Sequence, residues 1–166
     1  MHSAQFPPLP SDYVQRMPRY LEATSLIDAG FDSAGRRAYL TPTAADAWRS
    51  MKNAALDSGL NLILISAFRS YAYQEEILQR KLSQGISWTD ILSVSGFPGF
   101  SEHHTGRAID IGSPNSLDLT EAFAHTAEFE WLFAQATIFG FHMSYPQGNL
   151  FGIAYEPWHW AFQNAG

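Results

Sequence analysis

Apolar residues recur at spacings of three and four over residues 42–57 and again over residues 73–82. This spacing places them on one face of a helix, so the sequence predicts two amphipathic helices there. Thr41 is expected to be the N-cap of the first helix and Pro42 its first residue. Between the two helices, the run Leu-Asn-Leu-Ile-Leu-Ile-Ser at residues 60–66 is almost continuously apolar. It predicts a strand that is covered on both faces.

Shorter segments fill the rest of the chain without a regular alternation. Helices are predicted at residues 88–94, from Leu119 or Thr120 to Glu130, and more weakly at Glu22–Ala29; strands are predicted at residues 108–111, 141–144 and 159–162. Four prolines within residues 1–20 predict an extended arm that ends in a turn or short helix. Because helices and short strands are mixed irregularly, we predict an α+β fold.

The composition limits the class of protein and of partner. A chain of 166 residues with 46% hydrophobic residues is long enough for one compact domain with a sizeable core. We predict a lead-in at residues 1–40 and one compact domain at residues 41–166. A net charge of −6 and the lack of a basic run argue against nucleic acid as a partner. No apolar run approaches the roughly 20 residues of a membrane helix.

Two further features concern location and metal binding. The first ten residues contain neither the basic nor the apolar segment of a signal peptide, so the sequence predicts none here. The chain has no cysteine, which excludes disulfides and thiolate ligands. Any zinc ion must therefore be held by histidine and carboxylate side chains. Nothing in the sequence indicates an oligomer, and a monomer is the default expectation.

The sequence Ser-Glu-His-His-Thr-Gly-Arg-Ala-Ile-Asp at residues 101–110 contains the first candidate chemistry. Asp110 lies in an apolar run, and a buried carboxylate needs a cation or a metal as partner. Together with a histidine of the pair His103–His104 and with His159, it would give zinc three ligands and leave a fourth position open. His103 is seven residues from Asp110, and because an odd separation reverses the face of a strand, His103 would have to come from a loop. Spacing alone does not choose between His103 and His104.

The sequence Glu-Pro-Trp-His at residues 156–159 contains the second candidate. Glu156 is the candidate general base, three residues before His159. In a regular strand these side chains would face opposite ways, so a bend at Glu156-Pro157 is required to bring them together. An aromatic core strand beside a solvated glutamate is an equally good interpretation of the residues alone.

Arg69 is the third candidate, just after the predicted strand that ends at Ser66. A guanidinium suits a carboxylate or a developing oxyanion, because it offers a forked pair of hydrogen bonds. From position alone, a surface ion pair with Glu75 or Glu76 is the simpler interpretation.

Four blocks of sequence carry a resemblance to a known family. Residues 66–74, 101–110, 145–148 and 156–159 resemble, in order, motifs of the zinc D-Ala-D-Ala carboxypeptidases and L,D-carboxypeptidases of the vancomycin-resistance type. The resemblance covers about residues 40–162 and implies a small antiparallel sheet flanked by helices. It also implies that His103, Asp110 and His159 bind zinc, that Glu156 is the base, and that His104 is only a neighbour.

The resemblance further implies removal of the terminal D-alanine from peptidoglycan stem peptides in the periplasm or cell wall. Arg69 is then expected to stabilise the oxyanion or to hold the peptide's carboxylate, and Ser101 and Gln74 to hold the substrate. Alternatives within the family are an L,D-carboxypeptidase, a D,D-dipeptidase or an endopeptidase. The alternative from another class is a zinc-stabilised module that binds peptidoglycan without cleaving it.

Overall fold

A computed structural model describes residues 5–163. Within this range the regular elements are α1 (Ser11–Arg16), β1 (Ile27–Phe31), β2 (Arg37–Leu40), α2 (Pro42–Asp57), β3 (Ile63–Ser66), α3 (Tyr71–Ser83), α4 (Trp88–Val94), β4 (Ala108–Gly112), α5 (Ala127–Gln135), β5 (Phe141–Met143) and β6 (His159–Phe162). Short 3-10 helices are found at Glu102–Thr105, Glu121–His125 and Ala136–Phe139.

The strands form two antiparallel sheets. β1 pairs with β2 in a hairpin, and the other four strands form a sheet in the order β3-β4-β6-β5. Helices flank this small sheet, so the predicted α+β fold is confirmed. None of the helices in the described residues is both long and apolar enough to cross a membrane.

The main core lies between α2 and one face of the four-stranded sheet. Trp48 and Met51 of α2 belong to the same buried cluster as Ile109 and Ile111 of β4. Successive side chains of a strand point to opposite faces. Asp110, between the two isoleucines, therefore points away from this core, although it is equally buried.

A second core lies at the other side of the sheet and includes residues from the lead-in. Tyr13 and Met17 pack there with Leu92 and Phe100. The hydroxyl group of Tyr13 accepts a hydrogen bond from the backbone N–H of Phe97 at 2.9 Å. The lead-in thus contributes to the interior, and the division at residues 40 and 41 stays a prediction about domain organisation.

Two local predictions were wrong. The weak helix at Glu22–Ala29 is instead an irregular stretch that leads into β1, because pairing with β2 provides hydrogen bonds that a short, poorly formed helix does not. The helix expected to reach Glu130 is split at Thr126, whose hydroxyl accepts a hydrogen bond from Phe129 N–H at 3.1 Å and starts α5. Because Thr126 is a good N-cap, a new helix begins after it within the predicted helical segment.

Candidate metal centre and cleft

Strand pairing places two of the candidate ligands side by side. Asp110 of β4 and His159 of β6 are direct partners in the antiparallel register, so their side chains share one face. His103 comes from the 3-10 helix before β4. The Nε2 atom of His103 lies 3.2 Å from Oδ1 of Asp110, and the Nδ1 atom of His159 lies 3.1 Å from the same oxygen. All three side chains are buried.

The outer nitrogens of both imidazoles are engaged with acceptors. Nδ1 of His103 lies 2.7 Å from the carbonyl oxygen of Ala67, and Nε2 of His159 lies 2.8 Å from Oε1 of Glu102. Each outer nitrogen must therefore donate a proton, which leaves a lone pair on the inner nitrogen of the neutral ring. Two such lone pairs then face the Asp110 carboxylate. This donor set fits a metal ion, because a cation between these atoms removes their mutual repulsion.

The pKa values show how strongly the centre attracts positive charge. Burial, together with the charge of Arg69, lowers the pKa of His103 to about 4, so this ring is neutral. Burial acts in the same direction on His159, but hydrogen bonds to Asp110 and Glu102 outweigh it and raise the pKa to about 10. Against its burial, the positive charge of His159 and its hydrogen bond to Asp110 hold the pKa of Asp110 well below its usual range. The site therefore favours a cation, either a proton or a metal ion, at Nδ1 of His159, between this nitrogen and Asp110.

Arg69 lies beside this centre and not at the surface. Its Nη2 atom is 3.9 Å from Oδ2 of Asp110, and its side chain is only 18% exposed. Within residues 5–163 the buried Nε–H of Arg69 has no hydrogen-bond partner. The surface ion pair with Glu75 or Glu76 is therefore not formed. A buried guanidinium with an unused donor is available for an anionic ligand.

Glu156 reaches the centre through the required bend. It lies in the turn before β6, where the backbone N–H of His159 donates to the carbonyl oxygen of Glu156 at 3.2 Å. The carboxylate Oε2 lies 3.9 Å from Nδ1 of His159. Burial raises the pKa of Glu156 to about 7, although the positive charge of His159 opposes this shift. A carboxyl group with a pKa near neutrality is suited to accept and return a proton.

His104 is buried too but takes no part in the donor cluster. Its Nδ1–H donates to the carbonyl oxygen of Arg69 at 2.7 Å, and its Nε2 accepts from Gly99 N–H at 3.1 Å. Both ring nitrogens are thus satisfied by the backbone. His104 therefore stabilises the loop that carries Arg69. The donor cluster consists of His103, Asp110 and His159.

Sequence reasoning missed Glu102. Its carboxylate accepts hydrogen bonds from Nε2–H of His159 and from the hydroxyl group of Ser144. Burial raises the pKa of Glu102, but these two bonds outweigh it and hold the pKa below its usual value. An acidic residue directly before the histidine pair was the only sequence signal, since its partners are 57 and 42 residues away.

The centre lies in a cleft of about 350 Å³. The three-donor cluster, Arg69, Glu102 and Glu156 all line it, and the wall further includes Lys81, Ser95, Ser101, Leu119 and Trp158. Ser101 is thus well placed, and its hydroxyl accepts from His103 N–H at 3.3 Å. Gln74 is not part of the wall: its Nε2–H donates to the carbonyl oxygen of Gly96 at 2.8 Å. The Oε1 atom of Gln74 has no partner among the described residues.

Two imidazoles and a carboxylate that face a cleft, with a glutamate beside them, are the donor set of a catalytic metallohydrolase centre. Comparison with known proteins gives the family. The chain belongs to the VanY family, described as D-alanyl-D-alanine carboxypeptidase, whose family model matches residues 37–165.

Curated relatives and solved structures agree with this assignment. YodJ of Bacillus subtilis (strain 168) is 35% identical over 136 residues, which cover 80% of this chain and 50% of YodJ. VanXYC of Enterococcus gallinarum, a bifunctional D-Ala-D-Ala dipeptidase and carboxypeptidase, is 30% identical over 75% of this chain and 67% of its own length. This chain therefore spans about half to two thirds of these two relatives.

Among solved structures, the LdcB LD-carboxypeptidase is 33% identical, with a TM-score of 0.76 over 87% of this chain and 71% of that chain. VanYB in complex with D-alanine-D-alanine is 23% identical, with a TM-score of 0.69 over 89% of this chain and 82% of that chain. The second structure shares the fold of this chain.

Proposed function

We propose that this chain is a zinc-dependent carboxypeptidase that removes the terminal D-alanine from peptidoglycan stem peptides. The observation that carries the proposal is the convergence of His103 Nε2, Asp110 Oδ1 and His159 Nδ1 in a cleft that also holds Glu156. Membership of the VanY family supports the substrate class. By the same reasoning we propose that the protein acts in the periplasm or cell wall, where this substrate is found.

His103, Asp110 and His159 would hold the metal ion. Zinc bound there supplies Lewis acidity, which polarises a peptide carbonyl and makes water a stronger acid. Glu102 fixes the ring of His159 by accepting its Nε2–H, so that the Nδ1 lone pair points into the centre. The backbone at Ala67 does the same for His103.

Glu156 moves the proton in the proposed reaction. The attacking water adds to the scissile carbonyl carbon and gives one proton to the Glu156 carboxylate. When the C–N bond breaks, Glu156 delivers that proton to the leaving amine, and a carboxylic acid and an amine are formed. The carboxylic acid then loses the second proton of the water to solvent. The position of Glu156, within 3.9 Å of a metal-binding nitrogen yet outside the three-donor cluster, suits a base and not a ligand.

Arg69 stabilises the negative charge that develops on the carbonyl oxygen. Its guanidinium lies against Asp110, and its Nε–H is unused in the described structure. Preorganised donors in a site that excludes water stabilise an oxyanion more strongly than water does. Ser101, in the cleft wall, is proposed to contact the substrate, and Gln74 to position the Gly96 loop or to accept a substrate N–H through Oε1.

L,D-carboxypeptidase activity is the second candidate. The specific observation in its favour is the similarity to LdcB, which is named an LD-carboxypeptidase and is 33% identical. The two activities use the same metal centre and the same proton transfers, and they differ in the configuration of the residue that precedes the cleaved bond.

One experiment separates these functions. Zinc-loaded protein is incubated with a disaccharide pentapeptide and with a disaccharide tetrapeptide, and the products are measured by mass spectrometry. Loss of one alanine from the pentapeptide alone supports D,D activity, and loss from the tetrapeptide supports L,D activity. Binding of both peptides without cleavage would overturn the peptidase proposal in favour of the binding module.

A further inference from the structure

Lys81 is the second cation of the cleft and has no role in the chemistry above. It lies in the last turn of α3, and its ammonium group donates to the hydroxyl group of Ser95 at 2.6 Å. An ammonium group offers three donors. In the described part of the chain, Ser95 provides the one hydrogen-bond acceptor for Lys81, so further donors are available to a ligand in the cleft.

The ammonium group is coupled to the charges of the metal centre. Burial has the largest effect and lowers the pKa of Lys81, and the positive charge of Arg69 lowers it further. The carboxylate of Glu156 raises the pKa. Lys52 is a useful contrast. Burial also lowers its pKa, but its ammonium group donates to the carbonyl oxygen of Leu62 at 2.7 Å, outside the cleft wall. Both lysines are partly buried, so burial does not distinguish Lys81 from Lys52. Lys81 differs because it lines the cleft.

Arg69 and Lys81 reach the cleft from opposite ends of α3. Arg69 precedes the helix and lies against Asp110, whereas Lys81 lies in the last turn of the helix, and both side chains line the same cleft. A carboxypeptidase substrate has two groups that need positive charge, namely the scissile carbonyl and the terminal carboxylate. They are one residue apart, or about 3.5 Å of chain. Two separate cations in one cleft match these two requirements.

We propose that Lys81 binds the free terminal carboxylate of the substrate and so makes the cleft selective for chain ends, while Arg69 serves the scissile carbonyl. The inference rests on the proposed peptidase function. Ile77, one turn before Lys81, and Val94, next to Ser95, line the same cleft. Their apolar side chains suit the methyl group of a terminal alanine.

The kinetic test compares Lys81→Met with Lys81→Arg and with Lys52→Met as the matched control. The substrate is an acylated D-alanyl-D-alanine peptide with either a free carboxylate or a carboxamide at its end. We expect Lys81→Met to reduce kcat/KM for the free carboxylate by ~10–10²-fold, mainly through KM, because a charge-assisted hydrogen bond is lost. Lys81→Arg should restore most of this loss. For the carboxamide, Lys81→Met should change kcat/KM by less than ~3-fold.

A binding test keeps the inference independent of turnover. The same peptides are titrated by calorimetry into zinc-loaded Glu156→Gln protein with and without Lys81→Met, and zinc content and melting temperature are measured on each preparation. The inference predicts a Kd raised by ~10-fold or more for the free carboxylate only. Equal Kd values with and without Lys81→Met, or the same loss in Lys52→Met, would overturn it. Failure of the wild type to cleave either peptide would refute the peptidase function and leave this binding test intact.

Discussion

The two faces of strand β4 are both buried, yet they carry opposite chemistry. Ile109 and Ile111 pack into the main core on one face. Asp110, between them, faces two imidazoles and a guanidinium on the other. Burial of a charge costs several kcal/mol unless it is paired, and apolar residues of similar volume often give a more stable protein. The polar face is therefore explained by function and the apolar face by stability.

This difference predicts different consequences of substitution on the two faces. The imidazoles on the polar face are held by hydrogen bonds that they donate to segments outside the sheet, His103 to the carbonyl oxygen of Ala67 and His159 to the carboxylate of Glu102. Side chains on the apolar face are held by packing against α2. Substitutions on the polar face should change metal binding and catalysis most, whereas those on the apolar face should change the free energy of unfolding.

The largest effect is expected for His103→Ala. Removing this imidazole deletes one of the three proposed metal donors. The wild type is expected to bind about one zinc ion per chain, and the variant should lose this zinc together with its hydrolytic activity. The measurement is elemental analysis of protein purified without chelator. His104→Ala is the control. It should retain zinc, because the backbone occupies both nitrogens of His104. If the two variants exchanged these outcomes, the ligand assignment would be wrong.

Arg69→Lys should have the next largest effect. Lysine keeps the charge but loses the planar fork, so hydrolysis should slow by ~10²-fold while zinc is retained. Steady-state kinetics and zinc content on the same preparation measure this. Arg36→Lys is the control, since Arg36 is an exposed side chain that pairs with Asp32. If Arg69→Lys had the kinetics of the wild type, Arg69 would have no part in stabilising the oxyanion.

A smaller effect is expected for Glu102→Ala. Loss of the acceptor for Nε2–H of His159 should weaken zinc affinity by ~10–100-fold, measured by competition with a chelator of known affinity. Glu102→Gln retains an acceptor oxygen and should recover most of the affinity.

The matched control for Glu102→Ala lies on the opposite face of β4. Ile111→Val should lower the free energy of unfolding by ~0.5–1.5 kcal/mol and leave zinc affinity unchanged. A loss of zinc in Ile111→Val, or unchanged affinity in Glu102→Ala, would break the comparison between the two faces.

Local sequence signals predicted the two long helices and the last strand well. The periodic pattern located α2 and α3, and the predicted strand at residues 159–162 is β6. The start of α3 at Tyr71 also has a local cause, because the hydroxyl of Ser70 accepts from Tyr73 N–H at 3.0 Å. The order β3-β4-β6-β5 depends on pairing between distant segments, and β1 depends on its pairing with β2 in a hairpin. Helical or strand periodicity encodes neither.

The same limit applies to the site. Spacing indicated that one of His103 and His104 joins Asp110, but the distinction depends on contacts with Ala67 and Arg69, about 35 residues away. The family motif chose His103, and the structure brings that residue into the donor cluster. Lys81 gave no sequence signal, because a lysine late in an amphipathic helix is ordinarily a solvated side chain.

The most direct test of the proposed peptidase is Glu156→Gln. Glutamine preserves the shape of the side chain but cannot accept the proton, so single-turnover hydrolysis of a D-alanyl-D-alanine peptide should slow by at least ~10²-fold. Zinc content, melting temperature and peptide affinity, measured on the same preparations, should match those of the wild type. A fully active Glu156→Gln protein would contradict the assignment of Glu156 as the base and with it the mechanism proposed for this cleft.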